Sequence, residues 1–236
     1  MLPYFSVLIM IKFSLFLLAL VLSVSLSAAP SREAFALEER QVSGVPLDAF
    51  EWGDANLTIE LWARSPMIFS PVSMDFDAQG RLWLTEGIDY QRGLRTEGGR
   101  SIIVLEDKDW DGKADSSHVF ATDPDIRHAA LGIAVFDNQI VLSSTPSIIV
   151  YTDVNRNAVF DEGIDKREVF LTGFRDASHD HTLHAVVGAP SGQWHFSYGN
   201  RGADIRTKDG RHHISGCYYG YSDGIGKKSS DGEVYV

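Results

Sequence analysis

Ser101-Ile-Ile-Val-Leu-Glu-Asp107 and Ser147-Ile-Ile-Val-Tyr-Thr-Asp153 are nearly the same seven residues, and that coincidence decides the fold. Each is a short apolar run rich in β-branched residues, the composition of a buried strand. Each ends on an aspartate, enters an Asp/Asn-rich loop and returns through a further strand-like run, Ser117-His-Val-Phe120 or Arg167-Glu-Val-Phe-Leu171. Each is also preceded by a hairpin pattern. The first hairpin is Val72-Ser-Met-Asp-Phe-Asp77, a turn at Ala78-Gln79-Gly80 and Arg81-Leu-Trp-Leu-Thr-Glu86. The second is Leu131-Gly-Ile-Ala-Val-Phe136, a turn at Asp137-Asn138 and Gln139-Ile-Val-Leu-Ser-Ser144. A third begins at Ala185-Val-Val-Gly-Ala189, turns at Pro190-Ser191-Gly192 and returns through Gln193-Trp-His-Phe-Ser-Tyr198.

The unit is therefore strand, turn, strand, strand, acidic loop, strand. Four strands in about 50 residues match one blade of a β-propeller, and no helical period of useful length interrupts them. A β-sandwich spaces its strands similarly and is the competing reading; the near-identity of the two seven-residue runs favours repeats. The expectation is an all-β chain, an incomplete β-propeller over residues 57–236 with two full blades and the start of a third. Leu57-Thr-Ile-Glu-Leu-Trp62 alternates apolar and polar residues and is expected to be a further strand. So few blades cannot close a ring, and a propeller must close to protect its edge strands. The natural chain is thus expected to continue past Val236.

Upstream, Phe13 to Leu26 is an uncharged, mostly apolar run behind Lys12, ending in the small residues Ser25-Leu26-Ser27-Ala28-Ala29. It is shorter than the roughly 20 residues of a membrane span and reads as a signal peptide over residues 1–27, with Met10 as an alternative start. An uncleaved anchor that also uses the apolar residues before Lys12 is the alternative. Either way the rest of the chain, an extension over 28–56 and the blades, is expected outside the cytoplasm, periplasmic or held on the outer side of a membrane. At 44% hydrophobic residues the chain can fill a sizeable core. Its formal charge of −11, with no basic stripe, argues against nucleic acid as a partner. The lone cysteine, Cys217, leaves no intrachain disulfide, no cysteine-rich zinc site and no attachment motif for a covalent haem.

The acidic excess concentrates in the loops. Asp107, Asp109, Asp111 and Asp115 occupy positions 1, 3, 5 and 9 of a loop with Gly112 at position 6. Hard oxygen ligands at alternate positions with a glycine at the sharp turn are the front half of a calcium loop. His118 stands where the bidentate glutamate would close it. Asp153, Asn155, Asn157 and Asp161 keep the spacing but replace two carboxylates by amides and lose the glycine. Both sets are candidate metal ligands, more naturally for a structural ion than a catalytic one. The alternative is a polar hairpin connection, for which Asp, Asn and Gly are ordinary residues.

His179-Asp180-His181-Thr182-Leu183-His184 holds three of the eight histidines, just before the third hairpin. Imidazole is the usual proton-transfer group near neutral pH. His181 and His184, three apart in an extended entry, point to opposite faces, which disfavours joint chelation; blade-entry packing is the alternative role. His195 lies in a strand and reads as structural, and His212-His213 as a solvated pair.

His181-Thr-Leu-His184-Ala-Val-Val-Gly-Ala-Pro190-Ser-Gly192-Gln-Trp194 resembles the His-x-x-His…Gly-Pro-Asp-Gly hairpin of the membrane-bound dehydrogenase family of planctomycetes and verrucomicrobia, whose members are often fused to a haem-binding c-type cytochrome module. That family is similar to the soluble quinone-dependent glucose/sorbosone dehydrogenases, six-bladed propellers that use pyrroloquinoline quinone and calcium. Val72–Glu86, the Asp-x-Asp-x-Asp-Gly loop at Asp107–Gly112 and Gly199-Asn-Arg-Gly202 extend the likeness over residues 57–236. The resemblance implies the N-terminal part of a periplasmic dehydrogenase acting on a sugar or alcohol hydroxyl. His181, by its spacing to Pro190, would be the base, with His184 beside it and Arg201 as a candidate quinone contact. A c-type cytochrome would be the electron acceptor, in a further C-terminal part. Ala189 and Ser191 depart from the Gly and Asp of the family turn. A non-catalytic propeller binding carbohydrate or protein, and an inactive truncated product, are the alternatives.

Overall fold

The computed structural model describes residues 47–51, 53–87, 100–126, 130–175, 183–198, 203–207, 210–214, 225–228 and 234–235, with side chains up to Ile205 apart from Asp48 and Ala185. The signal segment, most of the 28–56 extension, His179, His181, Arg201 and Cys217 lie outside the described residues, as do the side chains of His212 and His213.

One short 3-10 turn, Leu47–Ala49, is the only helical element among the described residues; all else regular is strand. Strands β1 (Pro71–Phe76), β2 (Leu82–Glu86), β3 (Arg100–Glu106) and β4 (Ser116–Asp123) form one sheet in sequence order. Strands β5 (Gly132–Phe136), β6 (Gln139–Ser144), β7 (Ser147–Thr152) and β8 (Lys166–Phe174) repeat that order in a second. Next come β9 (Leu183–Gly188) and β10 (Trp194–Tyr198), a hairpin of β11 (Ala203–Thr207) and β12 (Gly210–Ile214), then β13 (Ile225–Lys228) and β14 (Val234–Tyr235). The third sheet runs β9-β10-β13-β14, and the β11–β12 hairpin leaves it to extend the second sheet along the outer edge of β8. Every pairing is antiparallel.

The first strands lie side by side, β5 against both β1 and β9, so the three sheets stack face to face like blades around one axis. Three stacked sheets exclude a two-sheet sandwich and make the chain an arc of a β-propeller. Packing explains why the four central residues of the diagnostic run do not alternate with polar ones. Ile102 and Val104 face the second blade, joining Trp83, Phe120, Ile133, Ile140, Leu142, Ile149 and Tyr151 in one cluster. Ile103 and Leu105 face the other way, with Leu82 and Leu84. On the second blade Ile148 and Val150 face the third, meeting Leu183, Val186, Phe196 and Tyr198. A strand covered on both faces has no solvent side to mark with polar residues, and each buried Ile contributes about 1.5–3 kcal/mol.

At the axis the first blade is held to the second by polar groups instead. Ser73 Oγ and Asp75 Oδ2 accept from the backbone N–H groups of Ile133 and Val135 at 3.2 and 2.8 Å, capping the otherwise open edge of β5. On the far side of the interface Asp123, on β4, accepts from Tyr151 of β7 and from Arg167 of β8, and Arg167 also reaches Asp125 at 2.7 Å.

Two expectations are corrected. Leu57–Trp62 is not a strand. It runs extended, and its one long-range backbone bond is from Ala114 N–H to Trp62 O at 2.8 Å. Trp62, Ala63, Met67 and Ile68 lie over Leu82, Leu84, Ile103 and Leu105. Apolar side chains can cover a sheet face without joining its ladder, which alternation alone does not distinguish. The third blade is also more than a start: it has four strands, with β11–β12 inserted between its second and third. That detour hid β13 from a reading based on repeat spacing, although Glu233–Val236 reads as a strand in the sequence and β14 falls within it.

Candidate functional site: a cation loop and the histidine end of the sheets

Sheet order sorts the candidate residues to two ends of the blades. The tight turns after β1, β5 and β9 and the acidic loops after β3 and β7 share one end. The other end holds the start of β9, where Leu183 N–H donates to Thr145 Oγ1 at 3.1 Å. His184, the second residue of β9, is half-buried at this end.

Asp107 follows the last residue of β3 and Asp115 precedes the first of β4, so the closing β3–β4 ladder brings positions 1 and 9 together. Asp115 N–H donates to Glu106 O at 2.8 Å and Lys108 N–H to Asp115 Oδ2 at 2.6 Å. Asp107 Oδ2 accepts from Gly112 N–H at 3.0 Å, with Gly112 at φ 86°, the left-handed turn for which glycine is suited. Asp107, Asp109 and Asp115 each present one oxygen within 4.8 Å of the others. Asp107 Oδ1 is buried and accepts no hydrogen bond. Ligands on opposite sides of a calcium ion stand roughly 4.6–5.2 Å apart, given its 2.3–2.6 Å bonds to oxygen. The three carboxylates and the unused buried oxygen therefore fit such an ion. Asp111 is not in the group; its N–H instead caps Asp109 Oδ1 at 3.2 Å. His118 faces away and bonds Ala158 O of the second loop through Nε2 at 2.9 Å.

The second loop has the same backbone but different chemistry. Asp153 Oδ2 accepts from Ala158 N–H at 2.9 Å, as Asp107 does from Gly112. Ala158 holds φ 59°, and the fourth position is left-handed in both loops, Trp110 and Arg156 each at 60°. Here the amides bond within the loop. Asn155 Nδ2 and Asn157 Nδ2 donate to Asp161 Oδ2 at 2.7 and 2.8 Å. The Asn157 carbonyl is turned away to accept from Val159 N–H at 2.8 Å. Asp165, which the sequence reading did not single out, accepts from the Val154 and Asp161 N–H groups, both at 2.7 Å. This loop closes on its own donors.

Asp77 is a second residue the sequence reading passed over. Its buried carboxylate gathers the turn after β1: Oδ1 accepts from Gln79 and Arg81 N–H, and Oδ2 from Arg81 Nε and Trp83 Nε1 at 2.6 and 2.8 Å. Burial alone would raise its pKa, but the hydrogen bonds from Trp83 and Arg81 and the Arg81 charge outweigh it and hold the carboxyl below the usual range. An aspartate before a Gly-containing turn was its only sequence signal.

Fold and site thus define an arc of a β-propeller whose first blade carries a cation-type acidic loop. Residues 49–229 match the model of a family described as a domain of unknown function, DUF7133, and the chain belongs to that family. No curated protein matches it. Among solved structures it is similar to an iodide and a calcium structure of a Trichoderma reesei protein of carbohydrate-active enzyme family AA12. Each is 18% identical, over 58% of this chain and 31% of that one, with a TM-score of 0.41. It is also similar to an X-ray structure of a protein provisionally named a gluconolactonase, 16% identical over 61% of this chain and 48% of that one, TM-score 0.37. The chain therefore spans between 31% and 48% of the length of the structures it matches. Neither the family description nor these structures names a membrane-bound dehydrogenase or a cytochrome module.

Proposed function

We propose that this chain is the N-terminal part, an arc of the propeller, of an exported, quinone-dependent dehydrogenase that oxidises a hydroxyl of a sugar or alcohol, with calcium bracing its first blade. The observation that carries the reading is a pairing in one chain: the Asp107–Gly112 loop and the His181–Trp194 hairpin, which resemble those of the quinone-dependent sugar dehydrogenases. The geometry supports it by division of labour. The Asp107–Asp109–Asp115 group lies at the end of the blades away from His184, so a calcium ion there stiffens the hairpin and leaves the histidine end for chemistry.

His181, by resemblance, takes the proton of the substrate hydroxyl on an imidazole nitrogen. His184 stands on β9, three residues along the chain, and Arg201 is the basic residue assigned to the quinone. Bound pyrroloquinoline quinone would accept the hydride, turning the alcohol carbon into a carbonyl. Export by residues 1–27 would place the protein in the periplasm or on the outer side of a membrane, with a c-type cytochrome as acceptor.

The test is reconstitution of the full-length protein with pyrroloquinoline quinone and calcium, followed by dye reduction with sugars and alcohols. Quinone binding and turnover are expected, with turnover lost in His181→Ala while the calcium-induced rise in melting temperature is retained. Neither binding nor turnover, or a His181→Ala variant as active as the parent, overturns the reading.

A further inference from the structure

A groove of about 300 Å³ runs between the turn after β1 and the first acidic loop, lined by Gln79, Gly80, Arg81, Glu106, Asp107, Lys108 and Trp110. Trp110 is the most exposed large apolar side chain among the described residues, at 75%. It is nonetheless placed: a Cβ on Gly80 would stand 2.9 Å from the indole Cη2, so the ring rests on the bare Cα of a glycine turn. An indole that leaves so much surface to water contributes little to folding.

The polar lining indicates what such a ring could meet. Arg81 is committed to Asp77, and Lys108 stands 3.6 Å from Glu106. Asp107 belongs to the cation group. Both basic groups of the wall thus stand beside a carboxylate, which leaves no unmatched positive charge for an anion, and the wall's donors and acceptors suit a ligand rich in hydroxyls. An exposed aromatic ring beside amide, carboxylate and ammonium groups presents both halves of sugar chemistry: a face for the apolar C–H side of a pyranose and partners for its hydroxyls.

We propose that this groove is a carbohydrate-binding site with Trp110 as its stacking platform. It lies at the acidic-loop end of the blades, away from His184, and is independent of the dehydrogenase reading: it would serve to hold an oligosaccharide whether or not the other end oxidises anything. Asp107 is shared between groove and cation group, so calcium strengthens sugar binding by fixing the wall.

The test uses the 236-residue chain in calcium, titrated with cellobiose, maltose and xylobiose, with binding read by tryptophan fluorescence and calorimetry. At least one disaccharide binds saturably. Trp110→Ala weakens that binding by about tenfold or more, a loss of about 1.4 kcal/mol, and Gln79→Ala weakens it less. Both variants keep the parent's circular dichroism and its calcium-induced rise in melting temperature, since neither side chain is a proposed ion ligand. Chelation weakens sugar binding in the parent. No saturable binding by any of the three sugars overturns the proposal, as does binding that Trp110→Ala leaves unchanged. Dye-reduction activity is not read here, so failure of this site and failure of the redox assignment are separate results.

Discussion

Asp107→Asn should change the sign of its effect on stability with calcium. In chelator, Asp107, Asp109 and Asp115 hold three like charges within 4.8 Å of one another. Each pair costs about 1 kcal/mol in a water-like dielectric, and salt reduces this somewhat. Two of the three pairs involve Asp107, so the amide relieves up to about 2 kcal/mol. It also keeps an oxygen for Gly112 N–H and gains an NH2 that can donate to its neighbours. The second loop shows the arrangement already at work, with Asn155 and Asn157 donating to Asp161. In calcium the order inverts. An ion at a hundred times its dissociation constant stabilises the parent by about 2.7 kcal/mol, roughly 5–11 °C in melting temperature for a domain of this size. The variant, with one ligand charge lost, gains little. The assay is thermal unfolding by circular dichroism in chelator and across a calcium titration, with magnesium for comparison. The variant should melt at or above the parent in chelator and below it in calcium. If Asp107→Asn lowers the melting temperature equally in both media, the carboxylate is merely a turn hydrogen-bond acceptor and the cation reasoning is wrong.

Asp123 also makes stability depend on acid. Burial would raise its pKa, but hydrogen bonds from Arg167 and Tyr151 and the Arg167 charge hold it below the usual carboxylate range. Its contribution is therefore complete above the unfolded value of about 3.9 and is lost as pH falls through the lower folded value. Urea unfolding should weaken steeply below about pH 4, and Asp123→Asn should be less stable at neutral pH with a shallower acid slope; an unchanged slope would contradict this. Gly173→Ala should undock the β11–β12 hairpin. Gly173 sits at φ 109°, and a Cβ would stand 1.9 Å from the Asp204 carbonyl oxygen, so a loss of about 2–4 kcal/mol is expected, read as faster amide exchange in β8 and β11. Met74 and Phe76 are 65% and 55% exposed on the first strand. Phe76 also meets Trp62 edge-on, so Met74→Ser alone should lower dye binding while moving unfolding stability by no more than about 0.5 kcal/mol; unchanged dye binding would show that this exposed side chain is no binding surface.

The hairpins and the repeat were legible in the chain because local patterns carry them. β5 to β7 fall within a residue of the expected runs, since their turns are short and their apolar runs are bounded by polar residues. The Leu57–Trp62 segment misled because its alternation records which side chains meet the first blade, not whether the backbone is paired. The third blade was undercounted because β11 pairs with β8, and β12 with β11, rather than with β10, and no local feature of Ala203–Ile214 specifies a partner in another blade. At the site, spacing supplied four carboxylates in the first loop. Only closure of the β3–β4 ladder showed that three converge and that the Asp111 carboxylate is not among them.

By itself, then, the sequence determined the strands, the repeat and the two acidic loops, all properties set by neighbours along the chain. Tertiary structure decided which face each strand buries, that a carboxylate oxygen of Asp107 is enclosed without a donor, and that Asn155 and Asn157 donate to Asp161 in the second loop. It also set the acidic loops and His184 at opposite ends of the blades. The physical reason is the same in each case: hydrogen bonds and charges act through space, and the distances that give them their strength exist only once strands remote in sequence have paired.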